Sequence, residues 1–437
     1  MLSRYRDGSV SPAEVIESVL ARVEELEPKL CATYALDADG ARAAARESER
    51  RWRRGEPAGP LDGVPVTVKE NIATKGTPVP QGTAATELVP AAEDAPAAAR
   101  LRSSGAVIFS KTTMPEYGML SSGVSTFHPL TRNPWDLTRT AGGSSAGAAA
   151  AAAAGYGPLH VGTDIGGSIR LPAGWCGVVG LKPTHGRIAV GNPYPGRAIG
   201  PLTRTAADAG LMTSVMSGYD RRDHTSLPDP GDTFTPVGSL RGLRIALLLD
   251  AGVGLPVDPS VTAAVTAAAG LLEAVGAVVE AIGPIITREM LDGLDRFWRV
   301  RSASDLKALP EERRAKVLPG IRDWVASADS LTGYDVFHGF SQMGEMAAAV
   351  NSSMGDYDFI LSPVAPITAF DAESAYPTGD PLRPFEHIAF TVPYNMSGHP
   401  AASVNCGWSD EGLPIGLQIA GSRFDDMGVL RLAAAVE

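Results

Sequence analysis

Apolar positions in the first thirty residues fall on one helix face: Ile16, Val19, Leu20, Val23 and Leu26 recur at three- and four-residue spacing. Ser11 just before them is a natural N-cap, Pro12 suits the first helical position and Glu14 completes a capping box. Pro28 is expected to end this helix. The Arg-rich run Glu49–Arg54 reads as a solvated helix face, because Glu47 and Glu49 adjoin its arginines. From Leu61 the texture changes to short β-branched runs divided by Gly and Pro. Val64–Val68 and Ala106–Phe109 read as buried strands, with a helix over Pro96–Ser103 between them. The alternation returns as a strand over Leu243–Leu249 and a helix over Ser260–Val275, introduced by Asp258 and Pro259, and residues 285–345 read as helical. Strands alternating with helices of this length predict an α/β fold. No linker-like stretch and no internal repeat divides the chain, so a single domain over 1–437 is expected, with a core over about 61–210 and a second part over 240–437.

Composition narrows the function classes. The 437 residues carry a formal net charge of −11, which disfavours a nucleic-acid or membrane-surface binder, since either needs a basic face. Hydrophobic residues at 44% and charged residues at 20% supply a large core and too little charge for disorder. Cys31, Cys176 and Cys406 lie far apart, so neither a disulfide framework nor a structural zinc site is expected, and a reducing compartment fits. The start of the chain has no signal-peptide pattern, and the alanine run Ala148–Ala154 is too short to span a bilayer. A cytoplasmic protein, monomer or homodimer, is the expectation.

Candidate chemistry lies in residues 140–186. Two Gly-Gly-Ser units, Gly142-Gly143-Ser144 and Gly166-Gly167-Ser168, place serines 24 residues apart. Glycine pairs allow positive φ and close backbone approach, and successive amides in such turns make anion-binding nests. The alanines between the units read as a helix buried tightly beneath the site. Other glycine-rich readings fail. No GxxxxGK[ST] occurs, and Gly252-Val253-Gly254 lacks the third glycine of a dinucleotide fingerprint, Val257 standing there. Gly143-Ser144-Ser145-Ala146-Gly147 matches the letters of a hydrolase elbow, but no hydrophobic strand runs into it.

The block GGSSAG…GTDIGGSIRLPAGWCGVVGLKPTHGR resembles the amidase signature family. So do Pro65–Asn71 (PVTVKEN), Lys111–Glu116 with Asn133-Pro134-Trp135, Val392–Ala401 and Gly412–Gln418, so the resemblance covers nearly the whole chain except 285–390. It implies an α/β fold with a large mixed β-sheet covered by helices on both faces, and hydrolysis of amides through a serine acyl-enzyme without metal or cofactor. It further implies Ser168 as nucleophile, Ser144 as the bridging serine on a cis peptide bond, and Lys69 as base. The amides of Ile165, Gly166, Gly167 and Ser168 would form the oxyanion hole, with Ser145, Asp164 and Arg170 supporting the loops. A lysine can serve as base only where burial makes its neutral form accessible, and Val66, Val68 and Ile72 offer that setting. His128, His160, His185 and Cys176 read as packing residues.

Two positions depart from the family pattern. Ala146 stands where glycine is usual, and the run before Gly200 reads AVGNPYPGRAIG instead of carrying a Ser-Leu-Asp segment. Substrate preference is therefore the least transferable property. Candidate pocket residues are Gly118, Met119, Leu120, Thr163 and Trp175, with Phe297, Trp298, Tyr334 and Phe337 from the helical segment. Such a lining points to small neutral, apolar or aryl substrates: amides, anilides, carbamates or esters. The alternatives are the glutamine-hydrolysing component of a tRNA-dependent amidotransferase complex and, more remotely, a non-catalytic scaffold of the same fold.

Overall fold

The structure, a computed structural model, describes residues 1–236 and 238–437. Its strands are β1 Thr33–Tyr34, β2 Pro65–Lys69, β3 Val107–Thr112, β4 Leu159–Asp164, β5 Val179–Lys182, β6 Ala198–Thr203, β7 Arg244–Leu247, β8 Val278–Ala281, β9 Phe359–Pro363, β10 Ala401–Trp408 and β11 Pro414–Gly421. They form one mixed sheet in the order β1-β3-β2-β4-β6-β5-β10-β11-β9-β7-β8. β2 runs parallel to β3 and β4, β6 returns antiparallel to β4, and β9, β7 and β8 are again parallel. Helices cover both faces, so central strands such as β2 and β11 are buried at every residue instead of alternating.

The predicted elements lie close to the observed ones. The capping box at Ser11 forms, Glu14 N–H donating to Ser11 Oγ and Ser11 N–H to Glu14. Its helix, however, runs over Pro12–Leu30 and passes Pro28. A proline one turn from a helix end sacrifices a single bond, and burial of Leu30 holds the final turn in place. Arg50 and Arg53 of the Arg-rich run pair with Glu47 and Glu49 on the surface of helix Ala38–Arg53, and Arg51 reaches the buried Asp62. Residues 285–345 fold as helices Arg288–Lys307, Glu311–Arg314, Pro319–Ala326 and the start of Gly333–Met354. Among the described residues no helix is long and apolar enough to cross a membrane.

The alanine run forms helix Ala146–Ala154, buried at every position except Ala153. Only small side chains fit there: a Cβ on Gly147 would stand 2.2 Å from the Ala32 carbonyl oxygen. This helix leads from the first serine loop back beneath the sheet to β4, which delivers the second. The carboxyl ends of β2 and β4 and the amino end of β6 thus meet at one edge, the usual ligand side of such sheets.

Candidate active site

Lys69 is the last residue of β2 and is fully buried. Its Nζ lies 2.7 Å from Ser144 Oγ, 3.1 Å from Ser145 Oγ and 2.9 Å from Thr163 Oγ1. Burial pushes its pKa down to about 7, against the opposing pull of Asp164 and Glu70. A neutral lysine has two N–H bonds and one lone pair, and the surroundings fix how they are used. Ser145 donates its own hydrogen to the Thr163 carbonyl (3.1 Å), and Thr163 Oγ1 also accepts from Asn71 Nδ2 (3.2 Å). Ser145, its hydrogen already spent, therefore accepts from Lys69; with the second N–H donated to Thr163, the lone pair can take the hydroxyl hydrogen of Ser144. Ser144 is then free to accept a proton from its other side.

The Ser144 loop is set by its glycines. The Gly143–Ser144 peptide is cis, and a Cβ on Gly143 would lie 2.6 Å from the Leu120 carbonyl oxygen and 2.7 Å from that of Ser122. Ser145 N–H donates to the Ser168 carbonyl at 3.0 Å, which ties the two serine loops together. Ser144 and Ser168 face one cavity of about 610 Å³. Among the described residues the Ser168 hydroxyl has no hydrogen-bond partner in the protein and opens on that cavity.

Asp164 and Arg170 shape the second loop from within. Arg170 is fully buried and donates to Asp164 (2.9 and 3.1 Å), the Thr391 carbonyl (2.8 Å), Gln418 Oε1 (2.7 Å) and Asn395 Oδ1 (2.6 Å). Asp164 accepts from the amides of Gly167 (2.8 Å) and Ile169 (3.0 Å) and from Asn395 Nδ2 (2.8 Å). Burial alone would raise its pKa, but the Arg170 guanidinium and these donors hold it well below the usual carboxylate range. One expectation changes here. The Gly167 amide is turned inward to Asp164, so the amides of Ile165, Gly166 and Ser168, which have no acceptor among the described residues, are the donors left for an oxyanion. Gly167 shapes the turn instead: its φ is +123°, and a Cβ there would lie 2.5 Å from Thr391 Oγ1. Asn395, Thr391 and Gln418 were not singled out from the sequence, although Asn395 and Gln418 stand inside the C-terminal motifs quoted above.

Gly118, Met119, Leu120 and Thr163 line the cavity as expected from their positions, and Trp298 joins them from helix Arg288–Lys307. Trp298 covers the second loop, its ring lying 3.2 Å from where a Gly166 Cβ would be. Trp324, Phe385 and Ile388 extend the apolar wall. Four pocket candidates lie elsewhere. Trp175 is core, its indole N–H donating to the Ile367 carbonyl at 2.9 Å and its ring against Phe370. Phe297 packs on Phe340, while Tyr334 and Phe337 are 75% and 70% exposed on the outer face of helix Gly333–Met354. Helical periodicity shows which residues share a face but not which face meets a cavity. Two of the histidines near the motifs are held by polar neighbours: His128 pairs with Glu70 at 2.7 Å, and His160 with Thr67 at 2.8 Å.

The family model described as Amidase matches residues 14–430. The chain is 37% identical to a glutamyl-tRNA(Gln) amidotransferase subunit of Anaeromyxobacter sp. (strain K), over 98% of this chain and 93% of that protein. It is 35% identical to an acylamidase of Rhodococcus erythropolis, over 100% and 94% of the two chains. Among solved structures, a bacterial aryl acylamidase of the amidase signature enzymes superposes with TM-score 0.91 at 31% identity, covering 100% of this chain and 94% of that one. A glutamyl-tRNA(Gln) amidotransferase subunit of Thermotoga maritima superposes with TM-score 0.77 at 29% identity, covering 98% and 91%.

Proposed function

The chain belongs to the amidase family, and on that footing we propose that it is a stand-alone hydrolase of small amides and anilides with an apolar or aryl portion. The observation that carries this reading is the buried Lys69 Nζ, 2.7 Å from Ser144 Oγ, with the Ser168 hydroxyl open on the same cavity. Ser168 Oγ attacks the amide carbonyl carbon. Its proton passes to Ser144, whose own proton moves to Lys69 Nζ. The negative charge on the carbonyl oxygen is held by the free amides of Ile165, Gly166 and Ser168; one preorganised donor of this kind is worth about 3–4 kcal/mol. Lys69 then returns the proton through Ser144 to the leaving nitrogen, and the C–N bond breaks. Water, deprotonated by the same relay, cleaves the acyl-enzyme ester and releases the acid. Carbamates and esters would follow the same steps with other leaving groups. The cycle requires no cofactor.

The wall of Met119, Leu120, Trp298, Trp324, Phe385 and Ile388 supports apolar substrate portions, and the higher TM-score to the aryl acylamidase points the same way. Three free cysteines are consistent with action in the cytoplasm. The test is initial rates of the purified chain on acetanilide, a phenyl carbamate, an aliphatic amide and glutamine, with Ser168→Ala as control. Turnover of the first three, absent in the control, is expected. Activity on glutamine alone would replace this reading with that of the glutamine-hydrolysing component of an amidotransferase.

A further inference from the structure

The run that departs from the family pattern before Gly200 places Arg197 at the cavity. It directly precedes β6, whose first residue Ala198 pairs with Asp164, so Arg197 flanks the loop Ile165–Ser168. The Arg197 guanidinium donates within the protein only to the Asn192 carbonyl, at 3.2 Å, and no carboxylate lies within 4.0 Å of it among the described residues. From the other wall, helix Arg288–Lys307 brings Arg301, one turn beyond Trp298. Both guanidiniums stack on one tyrosine, their centres 5.5 Å (Arg197) and 4.5 Å (Arg301) from the Tyr194 ring. Burial and the like charge of Arg301 both push the Arg197 pKa down.

The charge here is not balanced. Asp305, 57% exposed, stands 3.5 Å from Arg301 and is the one acidic partner of the pair among the described residues. The other charged groups lining the cavity are already matched. Arg222 holds Asp220 with two bonds (2.9 and 2.8 Å) and faces Glu93 at 3.9 Å, Asp94 accepts from Arg102 (2.8 Å), and Asp164 is spent on Arg170. Two further groups add donors beside the arginines. Trp298 Nε1 is buried without a partner, and the hydroxyl of the buried Ser302 also lines the cavity. Unmatched positive charge among free donors suits an acceptor-rich anion, and the planar fork of a guanidinium fits the two oxygens of a carboxylate.

We propose that this end of the cavity is a carboxylate subsite, and that the amides this protein cleaves carry a free carboxylate on the part reaching Arg197 and Arg301. The inference rests on reading the cavity as the site of amide hydrolysis, and it replaces the neutral class expected from the sequence with an anionic one. The apolar wall then takes the stem of the substrate and the arginines its charged end.

The test uses two anilides, glutaranilic acid and 4-carboxyacetanilide, each beside its methyl ester. They put the charge on the acyl and on the amine side in turn. Binding is measured by calorimetry on Ser168→Ala, where nothing turns over. For one of the pairs the acid is expected to bind at least about tenfold more tightly than the ester, the scale of hydrogen bonds to a charged group. The ratio should shrink with added salt and fall towards one when Arg197→Gln or Arg301→Gln is added. Arg301 lies partly exposed, so its variant carries the test if Arg197→Gln fails to fold. No acid preference in either pair, or a preference surviving both variants, overturns the subsite. Turnover of the preferred acid anilide by the native protein, lost in Ser168→Ala, reports separately on the hydrolase reading. An acid preference without turnover would sink that reading and leave the subsite standing.

Discussion

The proposed cycle concentrates its proton transfers on one side chain, Lys69. In the unfolded chain its pKa lies near 10.4, and burial brings it to about 7 in the fold. The proposed cycle needs the neutral amine, so kcat/KM should rise with pH through a midpoint near 7 and level off above it. A profile whose ascending limb has its midpoint below 5 or above 9 would exclude Lys69 as the base. Lys69→Arg separates proton transfer from positioning, because guanidinium keeps the charge and the donors but cannot deprotonate. We expect roughly 10²–10⁴-fold lower kcat with the fold intact by circular dichroism; Lys69→Arg turning over at native rate would refute the relay. From local sequence alone Lys69 looks like any strand lysine, and only the motif around it gave it a role. The inward turn of the Gly167 amide had no such signal, because it follows from where Asp164 places its carboxylate.

Elements with strong local signals were the legible ones. The capping box, the β-branched run of β2 and the alanine helix each carry their own cause in neighbouring residues. The Arg170 knot does not: its partners Asp164, Thr391, Asn395 and Gln418 come from parts of the chain up to 248 residues away. It joins the loop after β4 to helix Val392–Met396 and to β11, so it couples the C-terminal motifs to the loop Ile165–Ser168. Removing one partner leaves an uncompensated buried charge, and Arg170→Met is expected to cost about 3–5 kcal/mol in urea unfolding. The double variant Asp164→Asn/Arg170→Met leaves no bare charge and should recover part of that loss. If the double variant is less stable than Arg170→Met alone, the pair is not coupled in this way. Activity should stay low in both, since the loop loses its inner support.

At the scale of the molecule, two layers of acid sensitivity follow from what the sheet buries. The sheet and helices were legible as a class, but which titratable groups they enclose became visible only in the fold. His160 on β4 and His387 beside Trp175 are both buried, and burial lowers each pKa to about 4. Both ring nitrogens of His387 lack a partner among the described residues. A histidine with unfolded pKa near 6.5 and folded pKa near 4 binds more protons when unfolded throughout that window. Its stabilising effect is therefore complete above pH 6.5 and is lost as pH falls towards 4, at up to about 1.4 kcal/mol per pH unit for each histidine. Asp164 titrates too low to contribute there. Activity should thus fall reversibly around pH 7, as Lys69 takes its proton. The melting temperature already declines as pH falls from about 10 to 7, because the buried Lys69 and Lys182 bind protons more weakly in the fold than in the unfolded chain. Below about 6.5 the histidines add a further drop. His387→Leu removes one titrating group without stranding a hydrogen-bond partner, so it should narrow the gap in melting temperature between pH 8 and pH 5 while leaving the activity midpoint in place. An unchanged gap would mean that His387 is already protonated in the fold, or opens to water before the rest unfolds.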